Sequence, residues 1–221
     1  ADAFRAADWP TALDRVTDNI RRIQDQHGRD AFALLSGASL TNEKAYLLGK
    51  FARVALRTSQ IDYNGRFCMS SAAAAGNKAF GIDRGLPFPL EDLVGADVIL
   101  LVGSNAAETM PPVMQYFEAQ RARGGKLIVA DPRKTPTAAA ATLHLPLVPG
   151  SDAALANGLF HLVARAGHVD TNYVVSRTAG YEAVRSVAAG YWPERVERIT
   201  GVPQAGLQQA AQLLGTAHTA M

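Results

Sequence analysis

The chain has 221 residues, 48% of them hydrophobic and 19% charged, with a formal net charge of +2. That composition supports a sizeable core, and the near-neutral balance gives no reason to expect nucleic acid or an anionic membrane surface as a partner. The one cysteine excludes an internal disulfide framework and any cysteine-rich zinc or iron–sulfur site made by this chain alone, and no run approaches the ~20 apolar residues of a membrane span.

The first residues, Ala1-Asp2-Ala3-Phe4-Arg5, carry neither an initiator methionine nor an apolar leader, and they read as a start within a longer protein. Trp9, Leu13, Val16, Ile20 and Ile23 recur three or four apart and predict a helix over 8–27, with Asp8 as its N-cap, Pro10 in its first turn and Gly28 closing it. Ala31 to Leu35 predicts a short buried strand that runs into the turn 36–39. Thr41-Asn42-Glu43-Lys44 opens a helix to about Arg57, its apolar face made by Leu47, Phe51, Val54 and Ala55.

The segment 61–81 holds the single cysteine, Cys68. Asp62, Asn64 and Gly65 predict a loop, and the small residues from Met69 to Ala75, bounded by Gly76, predict a helix. Cys68 then falls at or near a helix N-terminus with Arg66 two residues away, and both the dipole and the cation favour the thiolate. The plainer reading of a lone cysteine is a small buried hydrophobe.

Beyond the irregular stretch 81–89, Leu90 to Leu93 predicts one helical turn and Ala96 to Val102 a buried strand. A helix follows from Pro111-Pro112 to about Arg123. Lys126 to Ala130 and Leu143 to Val148 predict two further strands, and Ser151 or Asp152 caps a helix over 153–166. Strands alternating with helices across short loops predict an α/β fold, a parallel sheet flanked by helices on both faces (Rossmann-like, doubly wound). From Val169 the pattern is helical, with short helices over 182–189, 192–199 and 204–214. The expected division is therefore an α/β domain over 1–168 and a helical segment over 169–221.

Three loops follow the carboxyl ends of strands: 102–109, 131–135 and 149–152. Ligands of open α/β sheets bind along that edge. Gly103-Ser104-Asn105 offers close backbone approach, a hydroxyl and an amide ahead of a helix start that attracts phosphate. Asp131 ends a strand where Rossmann-like folds place a carboxylate for ribose hydroxyls, and Asp152 is placed to accept from the N–H groups of a guanine. Each loop alone is an ordinary turn, strand exit or cap; three on one edge point to a ligand. Neither G-x-G-x-x-G after a strand nor G-x-x-x-x-G-K-[ST] is present, which removes the NAD and P-loop fingerprints. The five histidines show no metal-ligand spacing, and His144 and His161 read as packed side chains. Without a G-x-S-x-G elbow, a Ser-His-Asp hydrolase is unsupported.

The run Ile61-Asp62-Tyr63-Asn64-Gly65-Arg66-Phe67-Cys68-Met69-Ser70-Ser71-Ala72, followed by Ala79-Phe80-Gly81 and later by Val102-Gly103-Ser104-Asn105-Ala106-Ala107-Glu108-Thr109-Met110-Pro111, resembles the dimethyl-sulfoxide-reductase family of molybdenum oxidoreductases. The stretch from Ser36 to Arg53 is similar to the same family, and within it the likeness is greatest to assimilatory nitrate reductases. The resemblance implies molybdenum bis(molybdopterin guanine dinucleotide), with Cys68 as the protein's metal ligand and the catalytic residue. It implies cofactor contacts from Asn64, from Val102, Gly103, Ser104, Asn105, Glu108 and Thr109, from Asp131, Arg133 and Thr135, and from Gly150, Ser151 and Asp152. Ala38 departs from relatives that place a polar contact there. Met69 stands where similar formate dehydrogenases carry histidine, which favours nitrate.

The implied reaction is two-electron reduction of nitrate to nitrite by oxygen-atom transfer, with an electron-donor protein or subunit as partner and a cytoplasmic location. Arg66 and Ser70 are expected to flank the thiolate. The family's four-cysteine motif for a 4Fe–4S cluster is absent from this sequence and is expected only in the full-length protein, so the chain is read as a central fragment, inactive alone and free of molybdenum and iron. Formate dehydrogenase chemistry and a non-catalytic scaffold of the same fold are the alternatives.

Overall fold

A computed structural model describes residues 4–82 and 88–221, which fall into two compact units on either side of the intervening stretch. Most of the irregular segment expected between Gly81 and Pro89 lies outside the described residues.

In the first unit, α1 (Trp9–His27) starts where Asp8 accepts from the Thr11 N–H at 3.0 Å and ends at Gly28. The predicted stripe is not a buried face here: Trp9, Leu13 and Val16 are exposed, and the buried residue is Gln24, whose amide donates to the Leu56 carbonyl at 2.8 Å. Periodicity marks a stripe but does not say what covers it. A helical turn at Arg29–Ala31 precedes β1 (Leu34–Ser36), so the strand begins three residues later than its apolar run suggests. Asp30 is the reason. Its carboxylate accepts from the Ser59 N–H at 2.8 Å and the Thr58 hydroxyl at 2.9 Å, which pins the preceding turn.

Helix α2 (Asn42–Lys50) is capped by Thr41 and widens into a π turn at Phe51–Leu56, ending at left-handed Arg57. The wider turn advances the helix face. The buried pair is therefore Ala52 and Leu56, while Leu47, Phe51, Val54 and Ala55, the expected apolar face, are exposed. β2 (Ile61–Tyr63) runs parallel to β1 with Leu34 opposite Ile61, so Asp62 belongs to a strand and the expected loop shrinks to Asn64. Helix α3 (Gly65–Phe80) continues through Gly76, because one interior glycine costs only about 1 kcal/mol, and stops at left-handed Gly81.

The second unit begins with α4 (Asp92–Gly95) and β3 (Val98–Val102), followed by α5 (Ala106–Thr109), a tight turn at Pro111–Val113 and α6 (Met114–Ala122). Then come β4 (Lys126–Ala130), α7 (Pro136–Ala139), β5 (Leu143–Leu145) and α8 (Asp152–Arg165). The chain closes with α9 (Thr171–Arg177), α10 (Tyr181–Ala188), α11 (Pro193–Thr200) and α12 (Gln204–Thr216). The strands lie in the order β3-β4-β5, all parallel, with Ile99 opposite Leu127 and Ile128 opposite Leu143.

Alternate residues of each strand face opposite sides. Val98, Ile128, Ala130 and Leu145 pack with Leu155 and Leu159 of α8, Val196 of α11 and Leu207 of α12. Ile99, Leu127 and Val129 pack with Leu93 of α4, Phe117 of α6 and Ala138 of α7. The fold class is thus the expected α/β sheet with helices on both faces. Gly158 allows α8 and α11 to meet: a Cβ there would lie 2.6 Å from the Val196 side chain.

The expected boundary at 168/169 falls inside this unit. Its helices α11 and α12 complete, together with α8, the apolar layer over one face of the sheet. The last residues lie beside β3: Ala220 pairs with Val98, and the Leu100 N–H donates to the Met221 carbonyl at 2.7 Å. Asp97 secures that segment by accepting from the Thr219 and His218 N–H groups at 3.0 and 2.9 Å, bonds that hold its carboxyl below the ordinary range.

Two outcomes follow from this packing. Leu207→Ala should lower stability by about 2–5 kcal/mol, read from the urea midpoint; an unchanged midpoint would remove α12 from the core. The bonds from Ser59 and Thr58 lower the Asp30 carboxyl from its ordinary 3.8. A depressed carboxyl stabilises the fold above its unfolded value and loses that contribution as pH falls through its folded value. The melting temperature of Asp30→Asn should therefore lie below wild type at neutral pH, and the gap should close below the ordinary carboxylate range. A gap that persists in acid would contradict this.

Candidate functional site

The expected site residues divide between the units: Asn64 and Cys68 belong to the first, the remainder to the second. Cys68 is the fourth residue of α3 and is exposed, which sets aside the buried-hydrophobe reading. Its N–H donates to the Asn64 carbonyl at 3.0 Å, the bond that starts the helix. The Asn64 side chain accepts from the Ala38 N–H at 2.8 Å, while the Asn64 N–H donates to the Ser36 carbonyl at 3.1 Å. The turn after β1 and the start of α3 are therefore tied together by Asn64. Ala38, set aside in the sequence for lack of a polar side chain, takes part through its backbone.

Gly65 lies against the Tyr63 ring at this corner, and a Cβ there would have to displace that ring. The Arg66 guanidinium pairs with Asp62, holding that carboxyl below its ordinary range, so the cation expected to flank the thiol is engaged one turn away. Ser70 is exposed on the next turn. Met69 and Ser70 line an open cleft of about 240 Å³ beside Asp62 and Arg66.

The second unit gathers three loops at the carboxyl edge of its sheet. In the first, Val102 and Gly103 are exposed, and Gly103 has φ +62°, a conformation that suits glycine. Ser104 and Asn105 are half-buried, and Glu108 and Thr109 are exposed. The Asn105 amide donates to Glu108 at 2.6 Å, and the Thr109 hydroxyl donates to the Asn105 carbonyl at 3.0 Å. The helix behind this loop, α5, is only four residues long. One N–H expected to attract phosphate, that of Ala107, already donates to the Thr137 hydroxyl at 2.9 Å.

In the second loop, Asp131 is buried and accepts from the Arg133 N–H at 2.8 Å. One carboxylate oxygen thus shapes its own turn. Arg133 is exposed. Thr135 is buried and caps α7 by accepting from the Ala138 N–H at 3.1 Å. In the third, Gly150 has φ +84°, and Ser151 sits at the start of α8. The Ser151 hydroxyl donates to the Val148 carbonyl at 2.6 Å, and Asp152 is the exposed first residue of the helix, so neither side chain makes the expected cap.

Two participants were not evident from the residues. His144, read as packed, is half-buried and its Nε2 lies 2.8 Å from the Asp131 carbonyl, so it donates there and braces the second loop. Thr137 joins the first loop to the second. Its signal in the sequence is faint: a second threonine in Thr135-Pro136-Thr137, inside a helix start where the cap is already supplied.

A parallel sheet buried on both faces, with three loops of glycine and polar residues along its carboxyl edge, defines an α/β domain of the kind that takes ligands at that edge. Residues 1–193 match the molybdopterin oxidoreductase family, and the chain belongs to that family. The assimilatory nitrate reductase catalytic subunit of Bacillus subtilis (strain 168) is 49% identical over 182 residues, 82% of this chain and 26% of that protein. The F420-dependent formate dehydrogenase subunit alpha of Methanocaldococcus jannaschii is 32% identical over 217 residues, 98% of this chain and 31% of that protein. The chain thus spans between a quarter and a third of the length of these relatives. Acetylene hydratase from Pelobacter acetylenicus, a solved structure, shares the fold with a TM-score of 0.70 over 98% of this chain and 29% of its own, at 24% identity.

Asn64→Ala should cost about 1 kcal/mol by removing the bond from the Ala38 N–H, whereas Asn64→Asp, which keeps an acceptor, should stay near wild type. Equal denaturation midpoints for both variants would remove Asn64 from its bracing role.

Proposed function

We propose that the protein acts in the reduction of nitrate to nitrite at a molybdenum bis(molybdopterin guanine dinucleotide), with Cys68 as its ligand to the metal. The observation that carries this reading is the 49% identity to an assimilatory nitrate reductase, against 32% for a formate dehydrogenase. Met69, in place of the histidine of similar formate dehydrogenases, supports the same choice. The residues present fit the group. One exposed thiol supplies a soft anionic donor, and the sheet edge offers glycine backbone, hydroxyls, a cation and carboxylates for a dinucleotide.

When bound, the cofactor supplies two-electron oxygen-atom-transfer chemistry. Cys68 would hold the metal as a thiolate after losing its proton, carried on a helix start that Asn64 ties to the turn after β1. Val102 and Gly103 let a ligand approach the backbone, and Ser104, Asn105 and Thr109 supply hydroxyl and amide groups. Glu108 and Asp131 accept from ribose or base N–H and O–H groups, with Arg133 and Thr135 beside them as partners for phosphate. Asp152, with Gly150 and Ser151 before it, accepts from the guanine N–H groups.

Electrons come from a donor protein or subunit, through a 4Fe–4S cluster that other parts of the full-length protein would hold. Among the described residues no helix is long and apolar enough to cross a membrane, and the assimilatory likeness favours the cytoplasm. Formate oxidation is the second reading, favoured by the 98% coverage of the match to the formate dehydrogenase subunit. A non-catalytic scaffold would have no use for an exposed thiol at this position.

The full-length protein should reduce nitrate with an artificial electron donor and leave formate unoxidised. Cys68→Ala should abolish nitrate turnover without changing the melting temperature. Retained turnover would overturn the ligand assignment, and formate oxidation without nitrate reduction would overturn the substrate.

A further inference from the structure

Thr137 is fully buried, so its hydroxyl depends on partners inside the protein. Its oxygen accepts from the Ala107 N–H at 2.9 Å, and its own proton goes to the Asn105 side-chain oxygen at 2.9 Å. A threonine hydroxyl has one proton to give. Since the Ala107 N–H can only donate, that proton is free for Asn105, and the atom receiving it must be the amide oxygen rather than the nitrogen. The direction of the amide is set by its other contact, because the Glu108 carboxylate can only accept and must face the amide nitrogen. The nitrogen is left to meet Glu108, at 2.6 Å.

The three side chains form a directed chain of hydrogen bonds running from buried α7, just after the second loop, to the exposed first loop. Each has a defined donor and acceptor. An asparagine amide has two N–H groups and an oxygen with two lone pairs. One N–H and one lone pair are used within the protein, which leaves one donor and one acceptor for a ligand. Turned the other way, the amide could still donate to the Thr137 hydroxyl, but its oxygen would face the Glu108 carboxylate, a repulsive pair. Glu108 therefore selects the direction of the amide, and the buried hydroxyl anchors its oxygen end.

We propose that Thr137 is a positioning residue that presets the 103–109 loop for a guanine nucleotide by anchoring the oxygen end of the Asn105 amide. This rests on the reading that the sheet edge holds the guanine dinucleotide. The gain is preorganisation: the loop meets its ligand with the amide already turned, so less ordering is needed on binding.

The test is calorimetric titration of the full chain with GDP as the probe, on wild type, Thr137→Val, Thr137→Ser, Asn105→Ala and the double variant Thr137→Val with Asn105→Ala. Thr137→Val keeps the shape and loses the hydroxyl, and should weaken GDP binding about tenfold. Thr137→Ser should restore wild-type affinity. In the Asn105→Ala background, Thr137→Val should change affinity less than about twofold, because its effect runs through the missing amide. Thr137→Ala replaces the valine variant should that fail to fold. GDP binding by wild type with no loss in the valine variant, or a full loss that persists without Asn105, overturns the positioning role and leaves the nucleotide site standing. No GDP binding by wild type overturns both.

Discussion

Leu127, Ile128, Val129 and Ala130 of β4 are all closed to solvent, so this strand has no wet face. A backbone buried on both sides must satisfy its N–H and C=O groups laterally, and the parallel neighbours β3 and β5 do so. Each fully buried leucine, isoleucine or valine contributes about 1.5–3 kcal/mol, but only while both helical layers stay in place. The layer from α8, α11 and α12 is therefore as much part of this unit as the strands it covers. With both faces occupied, polar residues that serve a ligand can only collect where strands end. The carboxyl edge is where Gly103, Asn105, Asp131, Thr135 and Ser151 are found.

The first unit solves a different problem with fewer resources. Its two strands are three residues each, and much of the positioning is done by single polar groups: Asp30 on the Thr58–Ser59 corner, Gln24 on Leu56, Asn64 on the turn after β1. These bonds are individually modest, yet together they brace the unit in which α3 begins. That starting point decides which residue of the helix presents the thiol. Arg66, engaged by Asp62, stiffens the same corner instead of serving the sulfur directly.

Much of the second unit was legible in the residues. The runs Val98–Val102 and Lys126–Ala130 are continuous and apolar, and such runs have few alternatives to a strand buried on both faces. The three edge loops followed from them. Thr137 and His144 were not legible, because their partners lie 32 and 13 residues away along the chain, and a threonine inside a helix start or a histidine inside an apolar strand has no local mark of a distant bond. The caps at Ser151 and Asp152 failed for a local reason: the serine hydroxyl donates to the Val148 carbonyl three residues back instead of accepting from the helix start, and Asp152 is the first residue of the helix.

By itself the sequence determined the α/β class, the strand-end loops, the place of Cys68 near a helix start and the family likeness, all of which rest on local pattern and on residues read in a row. Only the tertiary structure decided which apolar stripes are covered, where the compact units divide, and how the loop side chains are turned. The stripe of α1 and the face of α2 were misjudged because periodicity measures amphipathicity, not contact, and a π turn changes the face without changing the composition. Burial and hydrogen-bond direction depend on neighbours that folding brings from elsewhere in the chain, and no local window contains them.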